Sequence, residues 1–144
     1  VYLPHARFED FRDAVAVLEK ATGIKLPYSG YATDGVYSFW PQFSLRSAVD
    51  KQKLLKFYDA FVKVVYEHGG STVGEAAEGR IKSPFIEKRT SDEVAKLYTD
   101  LRTIFDPYGT LNAGVKQPVE LRTIVAHLRT GYDGIDFAGY SSPS

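Results

Sequence analysis

The most restrictive feature of this 144-residue chain is one long amphipathic helix pattern, from Asp50 to His68. Its apolar residues recur at helical spacing and form a single stripe with a widened flank: Leu54, Tyr58, Phe61 and Val65, with Leu55 and Val62. Gly69 and Gly70 follow the pattern and end it. The apolar stripe of such a helix has to be buried against another element, so the pattern predicts a core shared with a sheet or another helix.

A second helix pattern precedes the long one, between Arg7 and Thr22. Four short strand-like runs surround the two helices: residues 1–3, 26–32, 36–43 and 71–73. Asp34 and Gly35 lie between the two middle runs and indicate a hairpin. The resulting order, β-α-β-β-α-β, predicts an α+β fold with a ferredoxin-like split βαβ antiparallel sheet and additional C-terminal helices.

The second half of the chain predicts two further helices. One carries the stripe Val94, Leu97, Leu101 and Ile104. Thr90 is predicted as its N-cap, with Glu93 reaching back in a capping box. The last helix is predicted to open at Pro118, to turn Leu121, Val125 and Leu128 inward, and to end at Gly131. Residues 80–89, which include Pro84, are predicted to form an irregular connector.

Composition excludes several classes of function. Eighteen basic residues balance eighteen acidic ones, which argues against a nucleic-acid partner. The chain has no cysteine, so thiolate nucleophiles and cysteine-based zinc sites are excluded. It has no run of about 18 apolar residues and no signal-peptide pattern, so we expect no membrane span and a cytoplasmic location.

Three segments together resemble the C-terminal domain of FAD-linked oxidases, a family that includes D-lactate dehydrogenases, D-2-hydroxyglutarate dehydrogenase and the glycolate oxidase flavin subunit. Residues 30–38, GYATDGVYS, are similar to the family's G-H-x-G-D-G-N-x-H. Residues 69–80, GGSTVGEAAEGR, are similar to G-G-S-x-S-G-E-H-G-x-G-x. Residues 105–114, FDPYGTLNAG, are similar to F-D-P-x-G-x-L-N-P-G, and Lys82 stands where the family often has Lys.

The resemblance covers roughly residues 1–116 and implies a substrate-side (cap) domain, which we predict over residues 1–130. Residues 131–144 are rich in Gly, Ser and Asp and are predicted to form a loose tail. The resemblance also implies a parent protein with an N-terminal FAD-binding domain as partner and a small organic substrate. The chain contains no Gly-rich dinucleotide fingerprint. We therefore expect FAD to be held mainly by the other domain, and this isolated chain to bind no FAD and to be inactive.

The resemblance also shows where this chain departs from its relatives. In metal-using members, two His of the first motif and the Glu of the second bind a divalent metal, and the next His acts as base. Those positions are here Tyr31, Ser38, Glu75 and Ala76. One carboxylate does not provide the three or four ligands that zinc needs, so we expect no metal site. Tyr31 and Glu75 remain the catalytic candidates, although a tyrosine is a poor base at neutral pH.

Each remaining candidate has an ordinary alternative. Arg80 and Lys82 are predicted to bind a substrate carboxylate, or they are solvated loop cations. Asn112 and Gly114 are predicted to approach the cofactor, or they form a plain turn. Glu75 is predicted to face the substrate or the flavin at a strand end, or it is a surface charge before a loop. The alternative for the whole chain is a non-enzymatic, ferredoxin-like module that binds a ligand or another protein.

Overall fold

The computed structural model describes residues 1–87, 89–115 and 119–128. After a short 3-10 turn at His5–Arg7, five helices are formed within these ranges: α1 (Phe8–Thr22), α2 (Ala48–Glu67), α3 (Gly79–Glu87), α4 (Asp92–Phe105) and α5 (Leu121–His127). Two strands are formed, β1 (Tyr28–Tyr31) and β2 (Val36–Phe39). The predicted α+β class is confirmed.

The sheet is an antiparallel hairpin whose edge is extended by the N-terminal segment. β1 pairs with β2 across the turn at Asp34 and Gly35, as predicted, and Gly35 takes a positive φ of 67°. Tyr2 forms one antiparallel bridge to Val36 and another to Ser71. The predicted first and fourth strands are therefore reduced to single bridges, and the full four-stranded ferredoxin-like sheet stays a prediction.

Helices α1 and α2 pack together on one face of this sheet and enclose the core. Phe11 of α1 contacts Phe39 and Phe61 edge-on, which joins α1, β2 and α2 in one aromatic cluster. The buried core consists of Leu3, Phe11, Val15, Ile24, Leu26, Tyr37, Phe57, Phe61 and Val65. The predicted α1 and α2 patterns thus supply part of the core, namely Phe11, Val15, Phe61 and Val65, whereas Phe57 of α2 was not predicted. Helix α2 begins at a capping box between Ser47 and Asp50.

The predicted irregular connector at residues 80–89 is wrong, because residues 79–87 form α3. Pro84 lies inside this helix, where it cannot donate a backbone hydrogen bond. Phe85 is fully buried and stacks on Tyr58 of α2, with 6.0 Å between ring centroids. Burial of this ring offsets the cost of the proline, which local sequence rules overestimated.

The start of α4 and its apolar stripe also differ from the prediction. Ser91, not Thr90, is the N-cap, and its side chain accepts a hydrogen bond from the amide of Val94. Thr90 instead donates its hydroxyl to the carbonyl of Ile86, which places it at the end of α3. The stripe exists but is not buried: no residue of α4 is buried, and Ile104 is 71% exposed.

The last helix is shorter than predicted and turns a different residue inward. Ile124 is its buried side chain, whereas Leu121, Val125 and Leu128 are only partly covered. Its predicted bounds at Pro118 and Gly131, and the predicted tail at 131–144, lie outside the described residues. Within the described ranges, no helix is long and apolar enough to cross a membrane.

Candidate functional site

The first motif places two of its key positions on the sheet face that points away from the helices. Side chains alternate along a strand, and Tyr37 is buried against α1, so Val36 and Ser38 point the other way. The strand register pairs Tyr31 with Val36 and Ser29 with Ser38. Tyr31 and Ser38 are therefore diagonal neighbours on the open face, about 7–8 Å apart at their Cα atoms.

The second motif meets the first at the same edge of the sheet. Ser71 exchanges two backbone hydrogen bonds with Tyr2, of 2.8 and 2.9 Å. Gly74 packs so closely that a side-chain carbon there would lie 3.0 Å from the carbonyl of Val1 and 3.2 Å from the side chain of Val36. Glu75 follows directly and is exposed. Since Val36 is the cross-strand partner of Tyr31, the middle of the second motif lies next to the strand pair that carries the tyrosine of the first.

The third motif is a loop folded around one buried carboxylate, Asp106. Its side chain accepts hydrogen bonds from the amides of Thr110 and Leu111, at 2.8 and 2.9 Å, and from the hydroxyl of Thr110, at 3.1 Å. Burial raises the pKa of this carboxyl, but the hydrogen bonds and the nearby Arg102 guanidinium outweigh it and hold the pKa below its ordinary value. The loop is therefore organised by a carboxylate that stays ionised.

Arg102 fixes the rest of this loop from the last turns of α4. Its guanidinium donates to the carbonyls of Leu111, Asn112 and Val115, at 2.8, 3.4 and 3.0 Å, and pairs with Asp106 at 3.2 Å. Asn112 adopts a positive φ of 46°, the one non-glycine residue to do so among the described residues. The predicted cofactor contact is thus held in a specific backbone conformation by two residues that do not belong to the predicted site.

The predicted substrate-binding cations point in different directions. A side-chain carbon at Gly114 would lie 3.6 Å from Nε of Arg80, so Arg80 lies against the third motif. Lys82 instead donates from Nζ to the carbonyl of Thr72, at 3.4 Å. Positions two apart on a helix do not face each other. The structure therefore brings Arg80 to the predicted cofactor-binding Gly114 and separates it from Lys82.

A groove of about 280 Å³ lies beside the third motif, lined by Tyr98, Leu101, Arg102, Asp106, Leu111 and Asn112. A pocket that encloses a drug-sized ligand spans roughly 300–1,000 Å³, and FAD is larger than such a ligand. The groove is therefore smaller than a pocket that would enclose FAD. Asn112 lines this groove, whereas Gly114 is not among its lining residues.

The described residues do not present the usual acid–base or metal-binding groups. Within the described ranges, no three His, Asp or Glu side chains converge in a way that would hold a metal ion. Ala76 has no proton acceptor, and Glu75 is the carboxylate next to it. In both His68 and His127, Nδ1 lies 2.7 Å from the backbone carbonyl four residues earlier in the chain. His5 is exposed in the turn before α1.

The chain is an α+β domain in which the second motif contacts both other motifs, through Gly74 against Val36 and Arg80 against Gly114. The family model for the C-terminal domain of FAD linked oxidases matches residues 1–115, and the chain belongs to this family. No curated protein and no solved structure matched the chain.

Sequence reasoning missed Asp106 and Arg102, which position the third motif. In the sequence, Asp106 followed by Pro107 indicates only the end of a helix. The available signal was the spacing: Arg and Asp four residues apart at the end of a helix form an i,i+4 pair, and the following Pro-x-Gly turn brings amides back to the carboxylate.

Proposed function

We propose that this chain is the substrate-side domain of an FAD-dependent oxidoreductase similar to the D-2-hydroxy-acid dehydrogenases, with the FAD-binding half supplied by another part of the parent protein. The contact between motifs distant in sequence carries the proposal: Gly74 lies against Val36, and Gly114 lies against Arg80. Such contacts are needed if the three motifs act on one ligand. The bridge order from Ser71 through Tyr2 to Val36 and β1 also supports a ferredoxin-like sheet.

The residues have separate tasks in this proposal. Arg80, exposed beside Gly114, binds the carboxylate of a small organic acid, since a guanidinium presents a planar pair of donors. Tyr31 is 61% exposed on the open face and donates its hydroxyl to a substrate oxygen. Asn112 meets the cofactor edge from the loop held by Arg102. The flavin, when bound, supplies the acceptor for the two electrons of the oxidation.

The missing base distinguishes this member from the relatives it resembles. Oxidation of a 2-hydroxy acid requires removal of the hydroxyl proton, and a positioned base contributes about 10²–10⁴-fold to the rate. Ala76 cannot serve, and Glu75 is exposed, without the burial that makes a carboxylate an effective base. We therefore propose that the parent oxidises D-lactate and D-2-hydroxyglutarate slowly or not at all, and that its substrate differs.

Anaerobic flavin bleaching of the full-length parent tests this proposal. The flavin should stay oxidised on mixing with D-lactate or with D-2-hydroxyglutarate, and a parent that carries stoichiometric flavin would support the domain assignment. Rapid reduction by D-lactate would show that a base is present after all. Loss of that reduction in Glu75→Gln, but not in Glu78→Gln, would then identify Glu75 as the base.

A non-enzymatic binding module is the second candidate, and one observation favours it. The α4 stripe and the loop after it leave large apolar side chains open to solvent, including Ile104, Phe105 and Tyr108, which is 90% exposed. A surface of this kind is typical of a protein–protein interface. Flavin content distinguishes the two candidates, because a parent that purifies without flavin, and does not bind added FAD, favours the binding module.

A further inference from the structure

A small cavity lies between the sheet and helices α2 and α3, on the opposite side of the sheet from Tyr31 and Ser38. Its volume is about 60 Å³. Apolar side chains make up most of its wall, among them Leu26, Phe39, Phe57, Phe61 and Val62. Three side chains with hydrogen-bond donors, Tyr58, Thr72 and Lys82, also line it, and such polar groups allow a cavity to hold water or a polar ligand.

Thr72 lies on the core side of its segment. Its neighbour Ser71 forms the bridge to Tyr2, and Thr72 itself is only 2% exposed. Its Oγ1 is buried and has no hydrogen-bond partner within the described part of the chain. Buried hydroxyls are almost always paired with protein or water, so this atom indicates a missing polar partner.

Lys82 brings a positive charge to the same cavity. Its side chain is half-buried, and the hydrogen bond from its Nζ to the Thr72 carbonyl is long, at 3.4 Å. An ammonium group beside aromatic walls has lost part of its hydration, and an anion in the cavity would compensate for that loss.

We propose that this cavity binds a small monocarboxylate of the size of acetate. The volume of about 60 Å³ is only about twice the share of one water molecule in the liquid, about 30 Å³, so the cavity excludes ligands larger than acetate. One carboxylate accepts from both Lys82 and the Thr72 hydroxyl, while its methyl group contacts Phe57 and Phe61. The site differs from the flavin-facing one and does not depend on the proposed oxidoreductase activity.

Titration of the isotope-labelled chain with sodium acetate tests the proposal by NMR. Resonances of Thr72, Lys82 and Phe57 should shift and saturate with acetate. The neutral isostere acetamide, and sodium chloride at the same ionic strength, should leave them in place. Lys82→Met should weaken acetate binding at least about tenfold, and Thr72→Val, which keeps the shape and removes the hydroxyl, about three- to tenfold.

Lys56→Met is the matched control, because Lys56 is an exposed cation on α2 and should leave the affinity unchanged. Circular dichroism of each variant establishes that the fold is intact. Equal shifts with acetate and acetamide, or undiminished acetate binding in folded Lys82→Met, would overturn the proposal. So would the absence of any saturating shift in the unmutated chain, which would mean that the cavity holds water only.

Discussion

Replacing Arg102 with methionine should loosen the third motif without unfolding the domain. The guanidinium is 22% exposed and makes two short hydrogen bonds to loop carbonyls, 2.8 Å to Leu111 and 3.0 Å to Val115. Each is worth about 1 kcal/mol after allowance for solvent, so the loop loses about 2 kcal/mol. We expect hydrogen exchange at the amides of Thr110 and Leu111 to become roughly 30-fold faster.

Two further variants make this test specific. Lys96→Met removes an exposed cation from the same helix and should leave exchange in the loop unchanged. Arg102→Lys keeps the charge but cannot reproduce the planar fork that spans several carbonyls, so its exchange rates should lie between the other two. Unchanged protection in Arg102→Met would refute the claim that this residue positions Asn112, and full protection in Arg102→Lys would reduce its role to charge alone.

Two more predictions follow from the site. The lowered pKa of Asp106 means that its carboxylate stabilises the loop at any pH above the ordinary value of 3.8 and that this stabilisation is lost as the pH falls through the lowered pKa. Protection of the Leu111 amide from hydrogen exchange, relative to an amide in α2, should therefore fall in acid. Asp106→Asn should lack this pH dependence. The same loss of protection in both proteins would contradict the prediction. The isolated chain should purify colourless, because its sequence has no Gly-rich dinucleotide fingerprint and the groove beside the third motif is smaller than a pocket that would enclose FAD. A yellow protein with stoichiometric flavin absorbance would show that this domain alone holds FAD.

The elements that were predicted correctly are those in which the local sequence pattern matches what the structure buries or turns. The stripes of α1 and α2 do pack into the core, and Asp34-Gly35 does form the hairpin turn. Their patterns could be interpreted without knowing the rest of the fold, because each helix buries the face that its own spacing defines.

The elements that were mispredicted depend on contacts that no local pattern carries. A proline argues against a helix at residues 79–87, yet burial of Phe85 against Tyr58 favours one. The α4 stripe looks identical in sequence to a core stripe, and only the structure shows that it is exposed. The roles of Arg102 and Asp106 likewise depend on a loop closing back on the helix end, which spacing alone does not fix.

Metal binding by a chain with its histidines restored tests the central claim most directly. The central claim is that the open sheet face keeps the geometry of the family's metal site and that two of its ligands have been replaced. In that case, Tyr31→His together with Ser38→His should create a zinc site that includes Glu75. We predict about one zinc per chain for this double variant, little for the unmutated chain, and loss of the metal when Glu75→Ala is added. Absence of zinc from the folded double variant, or binding that does not require Glu75, would contradict the alignment of these motifs and the site built on it.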